Sequence, residues 1–311
     1  MGTNNLSDSH ISNHLKIFTI IVTYNGQRWI DFCLGSLRRS TITTTPIVID
    51  NCSVDNTLPY IREKYPEVVI LEQTENLGFG QANNVGLRYA LVHQADYVLL
   101  LNQDAAIEPN MLERCIAQSD GVSLLSPVHM NGDGTRVDCN FKKNTLITCN
   151  ALINDIFTNQ LKRSYVSEKI CAACWLLPTS IIKKIGGFNP LFFHYAEDDN
   201  YFHRLVYHKI NARIVPQAKM YHNRVEFGNK TTYNKYWLPN ILLLTACNIN
   251  LIWSQRLANY LKILLQCYII KLPLGQYHIG TYLCNICKIL IKSRKIISYR
   301  KNEKQLAPTY L

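Results

Sequence analysis

The sequence has no uninterrupted apolar segment long enough to span a membrane. Its most apolar stretch, Leu238–Trp253, is interrupted by one proline and three asparagines, whereas a spanning helix needs about 20 consecutive, mostly apolar residues. Residues 1–16 form a polar leader without the apolar core that a secretory signal requires. These two absences predict a protein that is neither membrane-spanning nor exported, and therefore cytoplasmic.

Regular cysteine spacing is also missing. The chain has 311 residues and 11 cysteines at scattered positions, whereas secreted disulfide scaffolds are short and carry an even number of cysteines. Two Cys-x-x-Cys pairs occur, Cys171 with Cys174 and Cys284 with Cys287, but they lie far apart in two apolar segments. We interpret all four as buried free cysteines rather than as a divided zinc site.

Acidic residues are scarce at one end of the chain. Residues 251–311 contain ten Lys or Arg and a single acidic residue, Glu303, whereas residues 1–250 contain 23 basic and 21 acidic residues. The body therefore carries a net charge of +2 and the apolar last fifth +9, out of +11 for the whole chain. This pattern predicts a helical, basic tail over residues 236–311 that contacts an anionic membrane surface. An oligomer contact stays open, and nucleic acid is not expected, because nothing else in the sequence supports it.

Short apolar runs alternate with helical patterns in the first hundred residues. The runs Ile17–Thr23, Pro46–Asp50, Val68–Leu71 and Tyr97–Leu101 predict buried strands, and the segments between them predict helices over Gly26–Arg39, Asp55–Tyr65 and Gly80–His93. Repeated strand–helix units predict an α/β fold, with a mainly parallel sheet flanked by helices on both faces. Further on, Ile170–Pro178 and Ala212–Pro216 predict strands, and Glu197–His208 predicts a helix.

Polar residues follow the predicted strands at the point where each strand ends. Thr23-Tyr24-Asn25, Asp50-Asn51 and Asn102-Gln103-Asp104 come directly after three of them, and Glu75–Gly80 opens the third helical unit. Open parallel sheets bind ligands in the crevice at the carboxyl ends of their strands. We therefore expect these groups to meet at one ligand site.

Five ordered motifs resemble those of the family 2 glycosyltransferases, with the rhamnosyltransferase-like branch of bacterial polysaccharide assembly as the best match. They are VTYNG (Val22–Gly26), VIDNCSVDNT (Val48–Thr57), ENLGFGQANNVGLRYAL (Glu75–Leu91), LLLNQDAAIEP (Leu99–Pro109) and GGFNPLFFHYAEDDNYFHR (Gly186–Arg204). The resemblance covers roughly residues 17–225 and implies a Rossmann-like GT-A fold. It implies a catalytic domain over residues 17–235, with a nucleotide-sugar half (17–125) and an acceptor half (126–235), followed by the tail.

The resemblance also implies the roles of the residues in the first four motifs. Thr23, Tyr24 and Asp50 would hold the nucleotide base, and Asn76, Gly78 and Asn83 would shape the pocket for ribose and diphosphate. The complete expected nucleotide-sugar set is Thr23, Tyr24, Asn25, Asp50, Asn51, Asn76, Gly78, Asn83, Asn102 and Gln103.

A divalent metal, Mg²⁺ or Mn²⁺, is implied for the diphosphate. Asp104 closes the motif that reads Asp-x-Asp in the family, but Asn102 stands at its first position here, which removes one charge from the metal site. His222 resembles a late histidine that completes the metal site in some members. Oxygen-rich sites suit these ions, and substrate phosphates supply several oxygens. Because the body is almost neutral, we expect metal rather than lysines to balance the diphosphate.

Glu197-Asp198-Asp199 resembles the Glu-Asp motif whose carboxylate removes the proton of the acceptor hydroxyl. We expect Asp198 to be this base and Glu197 and Asp199 to position the acceptor or metal. At a helix start the helix dipole would keep the base ionised, and Arg204 would pair with Glu197 on the same helix face. Simple capping of the helix by these acidic residues is the alternative.

The expected activity is inverting transfer of a sugar from a nucleotide-diphosphate sugar, dTDP-rhamnose or a UDP-hexose. The expected acceptor is a saccharide, lipid-linked, at the inner face of the cell membrane in surface polysaccharide synthesis. The rival hypothesis is a catalytically inactive nucleotide-sugar-binding or scaffold protein with the same fold.

Overall fold

The computed structural model describes residues 15–224, 230–266 and 289–311, together with residues 269, 284 and 287, and gives only the backbone for residues 230–237. The predicted polar leader falls almost entirely outside these residues, as do Lys271, Lys288 and several other residues of the predicted tail.

Four parallel strands form the first half of the sheet, as predicted. They lie side by side in the order β3-β2-β1-β4, and three helices connect them. The strands are β1 (Ile17–Thr23), β2 (Thr45–Asp50), β3 (Val69–Glu72) and β4 (Tyr97–Leu101), and the helices are α1 (Ile30–Arg38), α2 (Thr57–Lys64) and α3 (Gly78–Val92).

Helices cover both faces of this half, because each strand alternates its side chains between two cores. In β1, Phe18 and Ile20 point into a core shared with Leu87 of α3. Ile17 and Ile21 point the opposite way, into a core that contains Leu34 of α1. Strands buried on both faces read as unbroken apolar runs, which is why the sequence identified them.

The second half of the sheet is mixed, which the sequence did not predict. Its strands are β5 (Ala105–Ile107), β6 (Leu124–Asn131), β7 (Tyr165–Val166), β8 (Cys174–Pro178) and β9 (Ala212–His222). The order continues β4-β8-β6-β9-β5; β8 is antiparallel to β4 and β6, β6 and β9 are parallel, and β5 and β7 are antiparallel to β9. Across the described strands the eight pairings divide equally between parallel and antiparallel.

Two strand predictions in this half had the wrong length. The segment predicted as Ile170–Pro178 is a strand only from Cys174, and the one predicted as Ala212–Pro216 continues to His222. Pro216 does not end β9, because the strand carries an irregular register opposite β6 at Pro127 and Val128. Prolines are tolerated at such bulges.

The described part of the chain contains eight further α-helices, together with two short 3-10 helices, Gln27–Trp29 and Leu146–Thr148. The α-helices are α4 (Met111–Ile116), α5 (Cys139–Asn144), α6 (Asn150–Phe157), α7 (Thr179–Ile185), α8 (Glu197–Tyr207), α9 (Lys230–Cys247), α10 (Trp253–Gln266) and α11 (Ser293–Glu303). Among the helices that the structure describes, none has the length and apolar character needed to cross a bilayer.

The last helix and the residues after it dock on the body. Arg300 of α11 donates to the carbonyl oxygen of Ala246 (3.1 Å) at the end of α9. The buried carboxylate of Glu303 accepts hydrogen bonds from Asn189 Nδ2 (2.8 Å) and from the Tyr310 hydroxyl (3.0 Å). The C-terminal end of the predicted tail is therefore packed against the loop that precedes α8.

The four cysteines of the Cys-x-x-Cys pairs are free, but only the first pair is buried. Cys171 and Cys174 lie in the core, whereas Cys284 and Cys287 are exposed. The prediction that all four are buried was therefore wrong for the second pair. An apolar sequence pattern does not distinguish a helix face that is covered from one that is not.

Candidate active site

One cleft is lined by residues of both the predicted metal site and the predicted Glu-Asp motif. It has a volume of about 2130 Å³ and opens beyond the carboxyl end of β4. Seven predicted site residues line it: Asn102, Gln103, Asp104, Glu197, Asp198, Asp199 and His222. Asn240, Ile241 and Leu244 of α9 form part of the wall, so the predicted tail contributes to the site.

Asp104 and His222 are neighbours, although 118 residues separate them. β5 begins directly after Asp104 and pairs with β9, with Ala105 opposite His222. Asp104 Oδ1 lies 3.2 Å from His222 Nε2. The imidazole is almost completely buried, whereas about a quarter of the Asp104 side chain is exposed to the cleft.

Two residues that sequence reasoning missed hold His222 from behind. Arg224 Nε donates to His222 Nδ1 (3.2 Å) and lies 3.3 Å from Asp138 Oδ2. The other oxygen of the buried Asp138 carboxylate caps α5 by accepting from the backbone N–H groups of Asn140 and Phe141. Nδ1 thus faces Arg224 and Asp138, and Nε2 faces Asp104.

The carboxyl of Asp104 is held in its ionised form. Burial raises its pKa, but the hydrogen bond and charge of His222, together with the charge of Arg224, outweigh this effect and lower the pKa below its ordinary value. An ionised carboxylate oxygen is the ligand that Mg²⁺ and Mn²⁺ prefer.

The possible metal ligands around Asp104 would hold a divalent ion only if the substrate supplied further ligands. Asn102 Nδ2 lies 3.4 Å from His222 Nε2, and Asn102 Oδ1 is buried with no hydrogen-bond partner in the described residues. Within those same residues no group of three or more His, Cys, Asp or Glu side chains forms a metal cluster. The protein therefore offers a carboxylate, an imidazole and an amide oxygen, and substrate phosphates would supply the remaining ligands.

The ends of β1 and β4 are tied together through Gln103. Its Oε1 accepts hydrogen bonds from the Thr23 hydroxyl (2.8 Å) and from the Tyr24 N–H (3.1 Å). Thr23 is opposite Asp50 in the β1–β2 register. The Tyr24 ring is 46% exposed at this strand end, which leaves an aromatic surface available to a planar group.

One carboxylate oxygen of Asp50 accepts a hydrogen bond, and the other has no partner among the described residues. Oδ2 accepts from the Ser53 N–H (3.0 Å), whereas the buried Oδ1 has no hydrogen-bond partner in the part of the chain that the structure describes. Asn51 is used internally, because its amide donates to Asn76 Oδ1 (2.9 Å) and accepts from the Leu77 N–H (2.8 Å).

Of the ten residues predicted to bind the nucleotide sugar, only Asn102 and Gln103 are in the lining of this cleft. Three of the other eight have local structural contacts. Asn25, at a positive φ of 47°, accepts from the Val54 N–H through its side chain. Asn83 is buried and donates to the Phe79 carbonyl oxygen within α3. Gly78 has a φ of 76°, and a Cβ there would lie 2.0 Å from the Phe193 carbonyl oxygen, so this glycine allows the loop before α8 to approach α3.

The three consecutive carboxylates begin α8 and line the same cleft. Tyr195 and Ala196 have positive φ values of 67° and 72° and turn the chain into the helix. Asp199 Oδ1 pairs with Lys169 Nζ at 2.5 Å. Glu197 is buried, and its Oε2 has no partner among the described groups.

Burial raises the pKa values of Glu197 and Asp198 by different amounts. Burial, reinforced by the charge of Asp198, raises the pKa of Glu197 to about 8. Burial and the charge of Asp199 raise the pKa of Asp198 to about 6. Burial therefore opposes ionisation of both groups at this helix start, where the helix dipole was expected to keep the base ionised. Near neutral pH, Asp198 is largely ionised and Glu197 is largely protonated.

The expected pair between Glu197 and Arg204 is absent from the described contacts. Arg204 is buried in the second half of α8, where it donates to the Gly187 carbonyl oxygen and to Thr309 Oγ1. Seven residues return a helix to about the same face, but the C-terminal segment offers Arg204 closer partners.

The cleft is lined by basic as well as acidic side chains, in equal numbers. Its lining includes six basic residues and six acidic ones. The basic residues are Arg28, Arg136, Lys142, Lys143, Lys169 and Arg224. Cations therefore line the cleft although the net charge of the body is close to zero. The prediction that metal rather than lysines balances the diphosphate does not follow from that net charge.

The sheet and the cleft together define a class of protein. A curved, mixed α/β sheet flanked by helices, with polar strand ends beside a cleft lined by carboxylates, is the architecture of GT-A glycosyltransferases. The sequence model of "Glycosyl transferase family 2" matches residues 19–186, more than half of the chain. The chain therefore belongs to glycosyl transferase family 2.

Curated relatives include two rhamnosyltransferases. The dTDP-rhamnosyl transferase RfbF of Shigella flexneri is 22% identical over 218 residues, which cover 67% of this chain and 69% of that protein. The N-acetylglucosaminyl-diphospho-decaprenol L-rhamnosyltransferase of Mycobacterium tuberculosis is 24% identical over 230 residues, covering 66% and 75%.

Solved structures share the fold. S. aureus TarS 1-349 in complex with UDP-GlcNAc superposes with a TM-score of 0.59 at 18% identity, covering 93% of this chain and 91% of that one. The mannosyltransferase PcManGT of Pyrobaculum calidifontis, in complex with GDP-Man and Mn²⁺, gives a TM-score of 0.56 at 15% identity, covering 93% and 84%.

Proposed function

We propose that this glycosyltransferase moves one sugar from a nucleotide-diphosphate sugar to a saccharide hydroxyl with inversion at the anomeric carbon. The observation that carries the proposal is the single cleft whose walls hold both the Asp104–His222 pair and the ionised Asp198. Inversion by one displacement requires a base on the acceptor side and a stabilised leaving group.

The strand ends would bind the nucleotide. The exposed Tyr24 ring offers a stacking surface for the base, and the unpartnered Oδ1 of Asp50 can accept a hydrogen bond from a base N–H. A buried carboxylate oxygen without a partner is unfavourable, so occupation by a donor group would relieve that cost.

Asp104 and His222 would hold Mg²⁺ or Mn²⁺, with Asn102 Oδ1 beside them. The ion, when bound, neutralises charge on the departing diphosphate. Arg224 and Asp138 fix the orientation of the His222 ring from behind, and such outer contacts commonly set metal affinity.

Asp198 would take the proton of the acceptor hydroxyl. As the hydroxyl oxygen bonds to the anomeric carbon, the bond from that carbon to the diphosphate oxygen breaks, and the nucleoside diphosphate leaves. Lys169 balances the charge of Asp199. The protonated Glu197 can donate a hydrogen bond, which a second ionised carboxylate could not do.

A pH profile tests the assignment of the base. The active form has Asp198 deprotonated, so kcat/KM should fall about tenfold per pH unit below pH 6 and level off above it. An unperturbed aspartate would move this fall to about pH 4. Thermal unfolding at each pH provides the control for acid denaturation, and constant activity down to pH 5 would contradict the assignment.

The relatives favour dTDP-rhamnose as donor and a lipid-linked saccharide as acceptor, because one is named a dTDP-rhamnosyl transferase and the other acts on a diphospho-decaprenol compound. UDP-hexoses stay as the second donor class. The corresponding place of action is the inner face of the cell membrane, in surface polysaccharide synthesis.

A donor panel tests the proposal directly. With Mn²⁺ present, dTDP-rhamnose at about 100 times its Kd should stabilise the protein by about 2.7 kcal/mol, and UDP-glucose, UDP-galactose and GDP-mannose by less. Thermal unfolding gives the ranking, and release of nucleoside diphosphate with an added acceptor gives turnover. Donor binding without release under any acceptor condition would favour the rival hypothesis, an inactive sugar-nucleotide-binding protein.

A further inference from the structure

Helix α10 carries an apolar face that the described residues leave uncovered. Trp253, Leu257, Leu261 and Leu265 recur every fourth residue, and they are 69%, 43%, 59% and 58% exposed. This spacing places them along one side of the helix. The neighbouring side packs on α9 through Tyr260, Ile263 and Leu264, so α10 is already held by the body and needs no further apolar contact for its own packing.

The exposed charged residues of α10, and of α11 with its flanking residues, have one sign. Lys262 is exposed on α10, and α11 with its flanking residues exposes Lys292, Arg294, Lys295, Lys301 and Lys304. Glu303, the only acidic residue after position 250, is buried against Asn189 and Tyr310. The exposed surface of these two helices, as far as the structure describes it, is therefore cationic and apolar.

We propose that the exposed face of α10 lies in the interfacial layer of an anionic bilayer, with Trp253, Leu257, Leu261 and Leu265 among the acyl chains. Helices with one apolar side and basic flanks lie in this way. A second copy of the chain would also cover the apolar side, but it would bring two cationic surfaces together. An anionic lipid surface covers the apolar side and neutralises the cations at once.

The position of α10 relative to the cleft agrees with this occupant. α10 packs on α9, and Asn240, Ile241 and Leu244 of α9 line the cleft. Asn240 also donates to the His194 carbonyl oxygen (2.8 Å) in the loop before α8. The lipid contact thus lies next to the acceptor side of the site; this point rests on the proposed function, whereas lipid binding itself does not.

Cosedimentation of the full chain with vesicles tests the proposal. Wild type should bind vesicles of phosphatidylcholine with phosphatidylglycerol, and binding should be weak on phosphatidylcholine alone and reversed by salt. The variant Trp253→Ser/Leu257→Ser/Leu261→Ser/Leu265→Ser should lose at least about tenfold in affinity. A matched control, Val92→Ser/Val122→Ser/Ile156→Ser/Phe157→Ser, removes equally exposed apolar groups elsewhere and should stay within about twofold of wild type.

Two further readouts make the result decisive. The α10 variant should keep its turnover on a water-soluble acceptor, which separates loss of lipid binding from failure of the proposed function. Light scattering without vesicles should give the same monomer mass for both proteins. Unchanged vesicle binding by the α10 variant would overturn the proposal. A wild-type dimer that the variant loses would also overturn it, and would assign the face to a second copy of the chain.

Discussion

Replacing Asp198 with asparagine should lower turnover by about 10²–10⁴-fold while donor affinity changes little. The amide keeps the size of the carboxylate but cannot accept the acceptor proton. Asp198 lies on the cleft wall at the start of α8, and the described hydrogen bonds and ion pairs do not join it to Asp104 or His222, which would hold the diphosphate and metal. Steady-state kinetics give the loss of turnover, and calorimetry with the nucleotide sugar gives the donor affinity.

The neighbouring carboxyl group provides the matched control. Glu197 has a pKa of about 8 and is largely protonated near neutral pH, so glutamine reproduces its charge and shape. Glu197→Gln should cost less than about tenfold in turnover, because it removes no working base. If the two variants lost activity equally, or if Asp198→Asn kept wild-type turnover, Asp198 would not be the base.

Replacing Asp104 with alanine should weaken metal-dependent donor binding and turnover together, each by about 100-fold or more. The change removes the only carboxylate within contact distance of His222 Nε2 among the described residues. It also leaves the imidazole without its partner across the β5–β9 pair. Titration of Mn²⁺ in the presence of donor measures the first effect, and kcat/KM at saturating Mn²⁺ measures the second.

Asp133 offers a control for a general loss of negative charge. It lines the same cleft, but its carboxylate is held by Thr135 in an exposed turn. Asp133→Ala should therefore change Mn²⁺ dependence by less than about threefold. An Asp104→Ala protein with the wild-type Mn²⁺ requirement would show that the metal binds elsewhere or has no role.

The first half of the fold could be predicted because local sequence patterns identify its strands and helices. Runs such as Ile17–Thr23 and Tyr97–Leu101 are buried on both faces, and they end where the structure ends β1 and β4. The second half could not, because β6 contains Pro127 and His129 and β5 has three residues. Their partner residues lie 51 to 117 positions further along the chain, and no local pattern records such pairing.

The residues of the candidate site, like the fold, could be predicted only in part from the sequence. Motif resemblance selected Asp104 and His222, but only the opposition of Ala105 and His222 across two strands brings them into contact. Arg224 had a usable signal, since it lies two residues beyond His222 and extended chain repeats its direction every second residue. Lys169 had none, because its ion pair with Asp199 arises from tertiary packing. The pKa values of Glu197 and Asp198 were equally hidden, since burial cannot be read from the residue types.

The contacts that hold α8 in place have a consequence for how an acceptor is selected. Asn240 holds the loop before this helix, Asn250 donates to the His203 carbonyl oxygen (2.8 Å) in its middle, and His208 Nε2 meets the Glu303 carbonyl oxygen (2.8 Å) just beyond its end. If α10 rests on the bilayer, these contacts fix the height of Asp198 above the lipid headgroups. We then expect the enzyme to select its acceptor by length, and to glycosylate the hydroxyl that lies at that height above the headgroups.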